Sequence, residues 1–200
     1  FTGSTAAAKI IQRAAIETMK RVVLELGGKG PTIVLDDADL DRAIPVALMS
    51  GFANSGQACV AGTRILIPLS RRDEILARLK SEAEKLKVGN PGDPDVRIGP
   101  LVNERQWQRI QSYIELGKQE GATVLTGGEG RPDGISRGWF VRPTIFADVT
   151  NDMRIAREEI FGPVLSVITY RDDDEAIEIA NDSDYGLQAY VLSADTTRAL

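Results

Sequence analysis

The strongest constraint on the fold is the alternation of short apolar runs with longer amphipathic segments. Runs such as residues 32–35 (TIVL) and 164–170 (VLSVITY) are rich in β-branched residues and predict buried strands. Between such runs lie stretches with apolar residues at helical spacing, the longest at residues 70–87 and 103–120. Strands that alternate with helices are typical of α/β domains. The sequence therefore predicts an α/β fold with a mostly parallel, twisted sheet and flanking helices.

The remaining elements follow from the same patterns and from capping residues. Ser4 is a candidate N-cap for a helix over residues 5–19, and Asp39 for a second helix that should start or bend at Pro45. A further helix is predicted over residues 172–181. Additional strands are predicted at residues 22–24, 64–69, 122–126 and 187–192.

Composition removes several classes of chemistry. The chain has one cysteine and no histidine, so disulfides, a Cys/His zinc site and an imidazole base within this chain are excluded. The net charge of −5 argues against a nucleic-acid module. No apolar run reaches the ~20 residues of a membrane span, and no signal peptide is visible. We therefore expect a cytoplasmic protein that binds no metal, nucleic acid or membrane.

The single thiol, Cys59, lies among small residues in the segment 55–64 (SGQACVAGTR), between a predicted helix end and a strand. Such a position exposes a nucleophile and leaves backbone N–H groups free. The alternative is a buried structural cysteine, which is common for a lone thiol.

A carboxylate, Glu25, ends the apolar run before a glycine pair in residues 23–29 (VLELGGK). If this side chain is partly buried, it can serve as a general base. The alternative is a strand-end glutamate that pairs with Lys29 or an arginine.

Two further segments could bind a cofactor. Residues 1–5 (FTGST) open a helix with Gly3 and Ser4, and helix N-termini can hold phosphate. In residues 158–163 (EEIFGP), a carboxylate could accept hydrogen bonds from ribose hydroxyls, and the adjacent aromatic could pack on a heterocycle. The alternatives are an ordinary N-cap and a charged helix end.

Together and in this order, the segments FTGST, LELGGK, GQACVAGTR and EEIFGPV closely resemble the NAD(P)-dependent aldehyde dehydrogenase superfamily. The resemblance covers essentially the whole chain. It implies that Cys59 is the nucleophile that forms a thiohemiacetal with the aldehyde, and that Glu25 activates the water that hydrolyses the thioester. It also implies cofactor contacts with NAD or NADP at Gly3, Ser4, Leu26, Glu159 and Phe161.

The family's chains are longer, so the resemblance implies a piece of a larger enzyme. Residues 1–27 would be a remnant of the Rossmann-like cofactor domain, and residues 28–200 the nucleophile-bearing catalytic domain, truncated at its C-terminus. The full-length parent would be a homodimer or homotetramer that acts on a small-molecule aldehyde. Two alternatives stay open: a non-catalytic fragment of such an enzyme, and a relative that passes the acyl group to coenzyme A. The family's coenzyme-A-acylating members typically lack a glutamate at the position of Glu25.

Overall fold

A computed structural model describes all residues from Phe1 to Leu200. Seven α-helices and six strands follow one another along the chain. The helices are α1 (Thr5–Ile16), α2 (Leu40–Phe52), α3 (Arg72–Glu84), α4 (Glu104–Gln119), α5 (Arg154–Arg157), α6 (Asp173–Asn181) and α7 (Thr196–Ala199). The strands are β1 (Pro31–Val34), β2 (Arg64–Pro68), β3 (Thr123–Thr126), β4 (Thr144–Ala147), β5 (Val164–Tyr170) and β6 (Tyr190–Leu192).

The six strands form one sheet in the order β3-β4-β5-β2-β1-β6. All neighbouring strands run parallel except the edge pair β3 and β4, which is antiparallel. Every residue of β2 is buried, as is typical of a central parallel strand that is covered on both faces. The predicted α/β fold with a mostly parallel sheet and flanking helices is confirmed.

Three apolar clusters pack against the sheet. The largest joins α2 and α3 to strands β1, β2, β4 and β5, and it contains fully buried side chains such as Ile65, Ile75 and Leu79. A second cluster lies under α4 and α5, and a small third one under α6. None of the three clusters contains a residue from positions 1–27.

Local sequence signals explain several element boundaries. Ser4 caps α1 by accepting a hydrogen bond from the Ala7 N–H, and Asp39 caps α2 through the Asp41 N–H. Helix α2 begins at Leu40 and runs through Pro45, so this proline does not mark the start of the helix. None of the helices is both long and apolar enough to span a membrane.

The prediction of a buried strand at residues 22–24 is wrong. Val23 is 77% exposed, and this segment forms only one isolated parallel bridge, between Thr2 and Glu25. An apolar β-branched run becomes a buried strand only where a neighbouring strand and a covering layer are present, and this chain provides neither here.

Candidate active site

The loop between α2 and β2 carries Cys59, whose side chain is half-buried. Before it, the backbone makes a left-handed turn at Asn54, Ser55 and Gly56, with φ values of 51°, 58° and 68°. Gly56 is required at this turn, because a Cβ atom there would lie 2.2 Å from the carbonyl oxygen of Gly162. The turn therefore packs directly on the Gly162–Pro163 backbone.

Two polar side chains fix this loop to the segment that precedes α4. Ser55 Oγ donates to the Gly99 carbonyl oxygen at 3.1 Å and accepts from the Gly99 N–H at 3.0 Å. Gln57 Oε1 accepts a hydrogen bond from the Val102 N–H at 3.0 Å. The backbone around the thiol is thus held in place by contacts within the chain.

Gly28 lies between the thiol loop and the Glu159 carboxylate. A Cβ atom at Gly28 would lie 2.2 Å from the Cys59 carbonyl oxygen, so the two backbones are in direct contact. The Gly28 N–H donates to Glu159 Oε1 at 3.1 Å. A Cβ atom at Gly27 would lie 2.4 Å from Glu159 Oε2. The glycine pair therefore contacts two segments that are distant from it in sequence, the thiol loop and the segment that carries Glu159.

Helix α4 holds the segment that carries Glu159 and Phe161. Arg109 donates to the Glu159 carbonyl oxygen at 2.9 Å. Gln106 Nε2 donates to the carbonyl oxygens of Ile160 and Phe161 at 3.0 and 2.8 Å. Phe161 has a positive φ of 61° and a side chain that is 37% exposed. This strained backbone is stabilised by the amide of Gln106, and it leaves the aromatic ring accessible.

Glu25 lies at the end of the chain segment that pairs with the N-terminus. Its N–H donates to the Phe1 carbonyl oxygen at 2.9 Å, and its own carbonyl oxygen accepts from the Gly3 N–H at 3.0 Å. Gly3 and Ser4, at the start of α1, are thereby placed beside Glu25 and Leu26. The Glu25 side chain is exposed, so residues 1–200 do not by themselves supply the partial burial that would favour a general base.

The alternative in which Glu25 pairs with Lys29 or an arginine is wrong, because Lys29 is buried without a partner and Glu25 forms no ion pair. Burial, reinforced by the neighbouring Arg64 charge, lowers the pKa of Lys29 to about 7. Arg64 is 1% exposed and donates through Nε to the Lys29 carbonyl oxygen at 3.0 Å. The sequence did not predict that these two cations are buried, and the one available signal was their position at the start of buried strands.

Apolar side chains line an open cavity of about 530 Å³ beside the thiol loop, on the outer side of α2. Met49 and Val46 of α2 are 61% and 45% exposed, and Val60, the residue after Cys59, is 46% exposed. Tyr190 closes one side, where its hydroxyl donates to the Val60 carbonyl oxygen at 3.1 Å. The thiol loop therefore adjoins an apolar surface on one side and the Gly27–Gly28 backbone on the other.

The fold and this arrangement define an α/β protein with a single thiol on a fixed loop, next to a glycine pair that binds a carboxylate. The family model of the aldehyde dehydrogenase family matches residues 1–200. The chain belongs to the aldehyde dehydrogenase family.

Sequence relatives and solved structures show the same kinship. A putative aldehyde dehydrogenase of Staphylococcus saprophyticus is 50% identical over 195 residues, which is 98% of this chain and 41% of that protein. An aldehyde dehydrogenase of Mycobacterium tuberculosis, solved with NAD+, is 50% identical with a TM-score of 0.96, over 99% of this chain and 41% of that one. A cysteine-to-alanine mutant of aldehyde dehydrogenase C from Pseudomonas syringae, solved with NAD+ and octanal, is 46% identical with a TM-score of 0.96 and the same coverage. The chain thus spans about 41% of the length of these relatives.

Proposed function

We propose that this chain is the nucleophile-bearing part of a longer enzyme that oxidises aldehydes to carboxylic acids with NAD+ or NADP+. The observation that carries the proposal is the packing of Gly28 between the Cys59 carbonyl and the Glu159 carboxylate. This packing supports the proposal because Gly28 contacts the backbone of Cys59, which carries the only thiol of the chain, and also binds a carboxylate of the kind that can bind a ribose. Family membership and the relatives solved with NAD+ and octanal support the same reaction.

The division of the chain is part of the proposal. Residues 1–27 would belong to the cofactor domain and residues 28–200 to the catalytic domain. All three apolar clusters lie within residues 28–200, which supports the boundary. Helix α1 and its following segment expose Ile10, Ile16, Met19 and Val23, and such a surface is expected where further polypeptide packs.

The residues at the glycine pair fit the nicotinamide half of the cofactor. One oxygen of Glu159 accepts from the Gly28 N–H, and the carboxylate has no other hydrogen bond, so it can accept from ribose hydroxyls. Phe161 would pack beside it, while Gly3, Ser4 and the Leu26 backbone would line the approach from α1. When bound, the cofactor accepts the hydride that leaves the aldehyde carbon.

The roles of Cys59 follow from thiol chemistry. Its thiolate attacks the carbonyl carbon, a C–S bond forms, and the carbonyl oxygen becomes an alkoxide. The Cys59 N–H donates to no backbone acceptor, so it is free to stabilise that alkoxide. Collapse of the alkoxide expels the hydride and leaves a thioester on Cys59.

Glu25 would complete the reaction. Its carboxylate removes a proton from a water molecule as the water attacks the thioester, the C–S bond breaks, and the acid leaves as Cys59 regains its thiolate. Because Glu25 acts only in this second half, its loss should slow hydrolysis more than hydride transfer. The apolar surface formed by Met49, Val46 and Val60 would receive the hydrocarbon part of the substrate.

Stopped-flow absorbance of NADH in the complete protein tests this order. Glu25→Gln should keep a burst of NADH close to one per site while its steady-state rate falls by about 100-fold or more. The control is Glu178→Gln, which changes an exposed carboxylate on α6. An unchanged steady-state rate in Glu25→Gln would refute the proposed base.

The same assay separates hydrolysis from transfer of the acyl group to coenzyme A. We expect the free acid as product, with no increase in rate when coenzyme A is added. A coenzyme-A-dependent rate and an acyl-coenzyme-A product would favour the other class of relative. A complete protein that reduces no NAD+ or NADP+ with any aldehyde would contradict both.

A further inference from the structure

Ser55 is the most deeply buried polar residue of the thiol loop, which joins α2 to β2. It is 4% exposed, whereas Gln57 and Cys59 are half-buried. The backbone of Ser55 is left-handed, with φ 58° and ψ 33°. Residues other than glycine rarely adopt this conformation, and they persist in it only where surrounding contacts hold them. The contacts of Ser55 are therefore important for the turn that leads to the thiol.

The Ser55 hydroxyl makes two hydrogen bonds with a single distant residue. It donates to the Gly99 carbonyl oxygen at 3.1 Å and accepts from the Gly99 N–H at 3.0 Å. Neither of these Gly99 groups has a backbone partner. The hydrogen bonds inside the turn join only Asn54 and Gln57, so they fix its shape but not its place in the fold. Loss of the hydroxyl would free the turn from Gly99 and leave two backbone groups without partners.

The segment that binds Ser55 continues into the helix that holds the cofactor side of the candidate site. Asn103 follows this segment and caps α4 by accepting from the Gln106 N–H at 2.9 Å. The side chains of Gln106 and Arg109 then donate to the carbonyl oxygens of residues 159–161. Ser55 therefore connects the thiol loop to residues 159–161 through α4 and the segment before it.

The turn also lies directly against the end of that same segment. A Cβ atom at Gly56 would lie 2.2 Å from the carbonyl oxygen of Gly162, which follows Phe161. This contact limits how closely the two backbones approach, but it provides no hydrogen bond that would keep them together. The bonds between Ser55 and Gly99 hold the turn on this surface.

We propose that Ser55 is a positioning residue for Cys59: its hydroxyl holds the thiol loop in place against the segment that carries Glu159 and Phe161. A serine that only stabilised the fold would contribute to the free energy of unfolding and leave the reactivity of the thiol unchanged. A positioning serine changes that reactivity, because a displaced nucleophile differs in both exposure and alignment.

The direct test needs no cofactor. It is the rate at which iodoacetamide alkylates Cys59 in the complete protein, followed by mass spectrometry of the peptide that contains this residue. Ser55→Ala should raise the rate by about threefold or more, because a looser loop exposes the half-buried thiol. A rate equal to that of the parent protein, or below it, would overturn the assignment.

Ser166→Ala is the matched control. Ser166 is 0% exposed, and its hydroxyl donates to the Ile155 carbonyl oxygen at 3.1 Å, so this variant also removes a buried hydroxyl that binds backbone. It should destabilise the fold and keep the alkylation rate of the parent protein. An equal rise in both variants would overturn the proposal, because general loosening of the fold would then explain it.

Ser55→Gly separates the hydroxyl from the strained backbone and covers the case in which Ser55→Ala does not fold. Glycine adopts a positive φ without strain, so this variant removes only the hydrogen bonds and the small Cβ group. It should also be alkylated faster than the parent protein. A rate like that of the parent would show that the hydroxyl does not position the loop. Failure of both variants to fold would assign Ser55 to folding alone and would also overturn the proposal.

The consequence for the reaction rests on the proposed function. In single-turnover experiments, with the complete protein in excess over aldehyde and NAD+ saturating, Ser55→Ala should form NADH about tenfold more slowly, because the thiol is misaligned with the cofactor. Calorimetry should give a Kd for NAD+ within about twofold of that of the parent protein, because Ser55 acts through Cys59. Ser166→Ala should match the parent in both measurements.

These outcomes distinguish the inference from the proposed function. An unchanged rate of NADH formation in Ser55→Ala, or a loss of NAD+ affinity that accounts for the slower rate, would overturn the positioning of Cys59. A parent protein that forms no NADH with any aldehyde would overturn the proposed function, and the alkylation rates would still decide the role of Ser55.

Discussion

Residues 28–200 and residues 1–27 are held in place by different means. The larger region contains the six-stranded sheet and all three apolar clusters. In the smaller region Ala8 is the one buried residue, and the cap of α1 and the bridge between Thr2 and Glu25 join residues of this region only to one another. The proposed nucleophile thus lies in the region that contains the sheet and the apolar clusters, whereas the proposed base lies on a segment that makes few contacts with that region. This chain therefore fixes the position of Cys59 more completely than that of Glu25.

The largest expected effect comes from the backbone contact between Gly28 and the thiol loop. Gly28→Ala would place a Cβ atom 2.2 Å from the Cys59 carbonyl oxygen, so the thiol loop must shift. We expect the rate of aldehyde oxidation by the complete protein to fall by about 100-fold, since small displacements of a nucleophile cost that much. Gly186→Ala, where nothing lies within 4 Å of the added atom, is the matched control and should keep its rate. Equal rates in the two variants would show that the contact between Gly28 and Cys59 does not affect the rate of aldehyde oxidation.

The next effect compares stability in the two regions. Ile65→Ala, in the fully buried strand β2, should lower the free energy of unfolding by about 2–5 kcal/mol because it leaves a cavity. Ile10→Ala on α1, at a side chain that is 69% exposed, should change it by less than about 0.5 kcal/mol. Urea unfolding of this chain measures both. A similar loss of unfolding free energy in both variants would mean that the Ile10 side chain on α1 contributes to the core as Ile65 does.

A third effect concerns the pH dependence of stability. Folding lowers the pKa of Lys29 from 10.5 to about 7, so between these values the unfolded chain binds one more proton than the folded chain. The free energy of unfolding should therefore rise with pH over this window. The total rise should be a few kcal/mol, because each unit by which folding lowers the pKa corresponds to about 1.4 kcal/mol. Lys29→Met should lack this rise, and Lys80→Met, which changes an exposed lysine of α3, should keep it. Identical slopes in the Lys29→Met variant and the parent protein, measured by urea unfolding at several pH values, would contradict the burial of a titrating amine.

The smallest effect lies in the peripheral helix. Ser4→Ala removes the hydroxyl that accepts the Ala7 N–H and should destabilise α1 locally by about 1 kcal/mol. Amide hydrogen exchange should become faster within α1 and stay unchanged in β2, because the two regions share no apolar cluster. Faster exchange in β2 would show that they unfold together.

Much of the fold could be predicted from local patterns. Strand β5 has the predicted boundaries because its apolar, β-branched run begins directly after Gly162 and Pro163 and ends before a charged segment. Ser4 and Asp39 cap the helices that the pattern assigned to them. Residues 22–24 have a similar local pattern but no neighbouring strand, and a short window of sequence does not contain that information.

The residues of the candidate site could be predicted only where they belong to a family motif. The resemblance to the aldehyde dehydrogenases singled out Cys59, Glu25 and Glu159, and the structure places Glu159 and the Cys59 backbone on either side of Gly28. The burial of Lys29 was not predictable, because a lysine after two glycines has the same local sequence whether its amine faces water or the interior. The left-handed turn at Asn54 and Ser55 depends on the distant Gly99, which is beyond any local pattern.

The central claim is that Cys59 carries the acyl group and Glu25 releases it. The most direct measurement is intact-protein and peptide mass spectrometry of the complete Glu25→Gln protein after mixing with an aldehyde and NAD+. We predict an increase in mass equal to one acyl group, located on the peptide that contains Cys59, the only cysteine of this chain. An unmodified Cys59 peptide after NADH has formed, or an acyl group on another residue, would contradict the account.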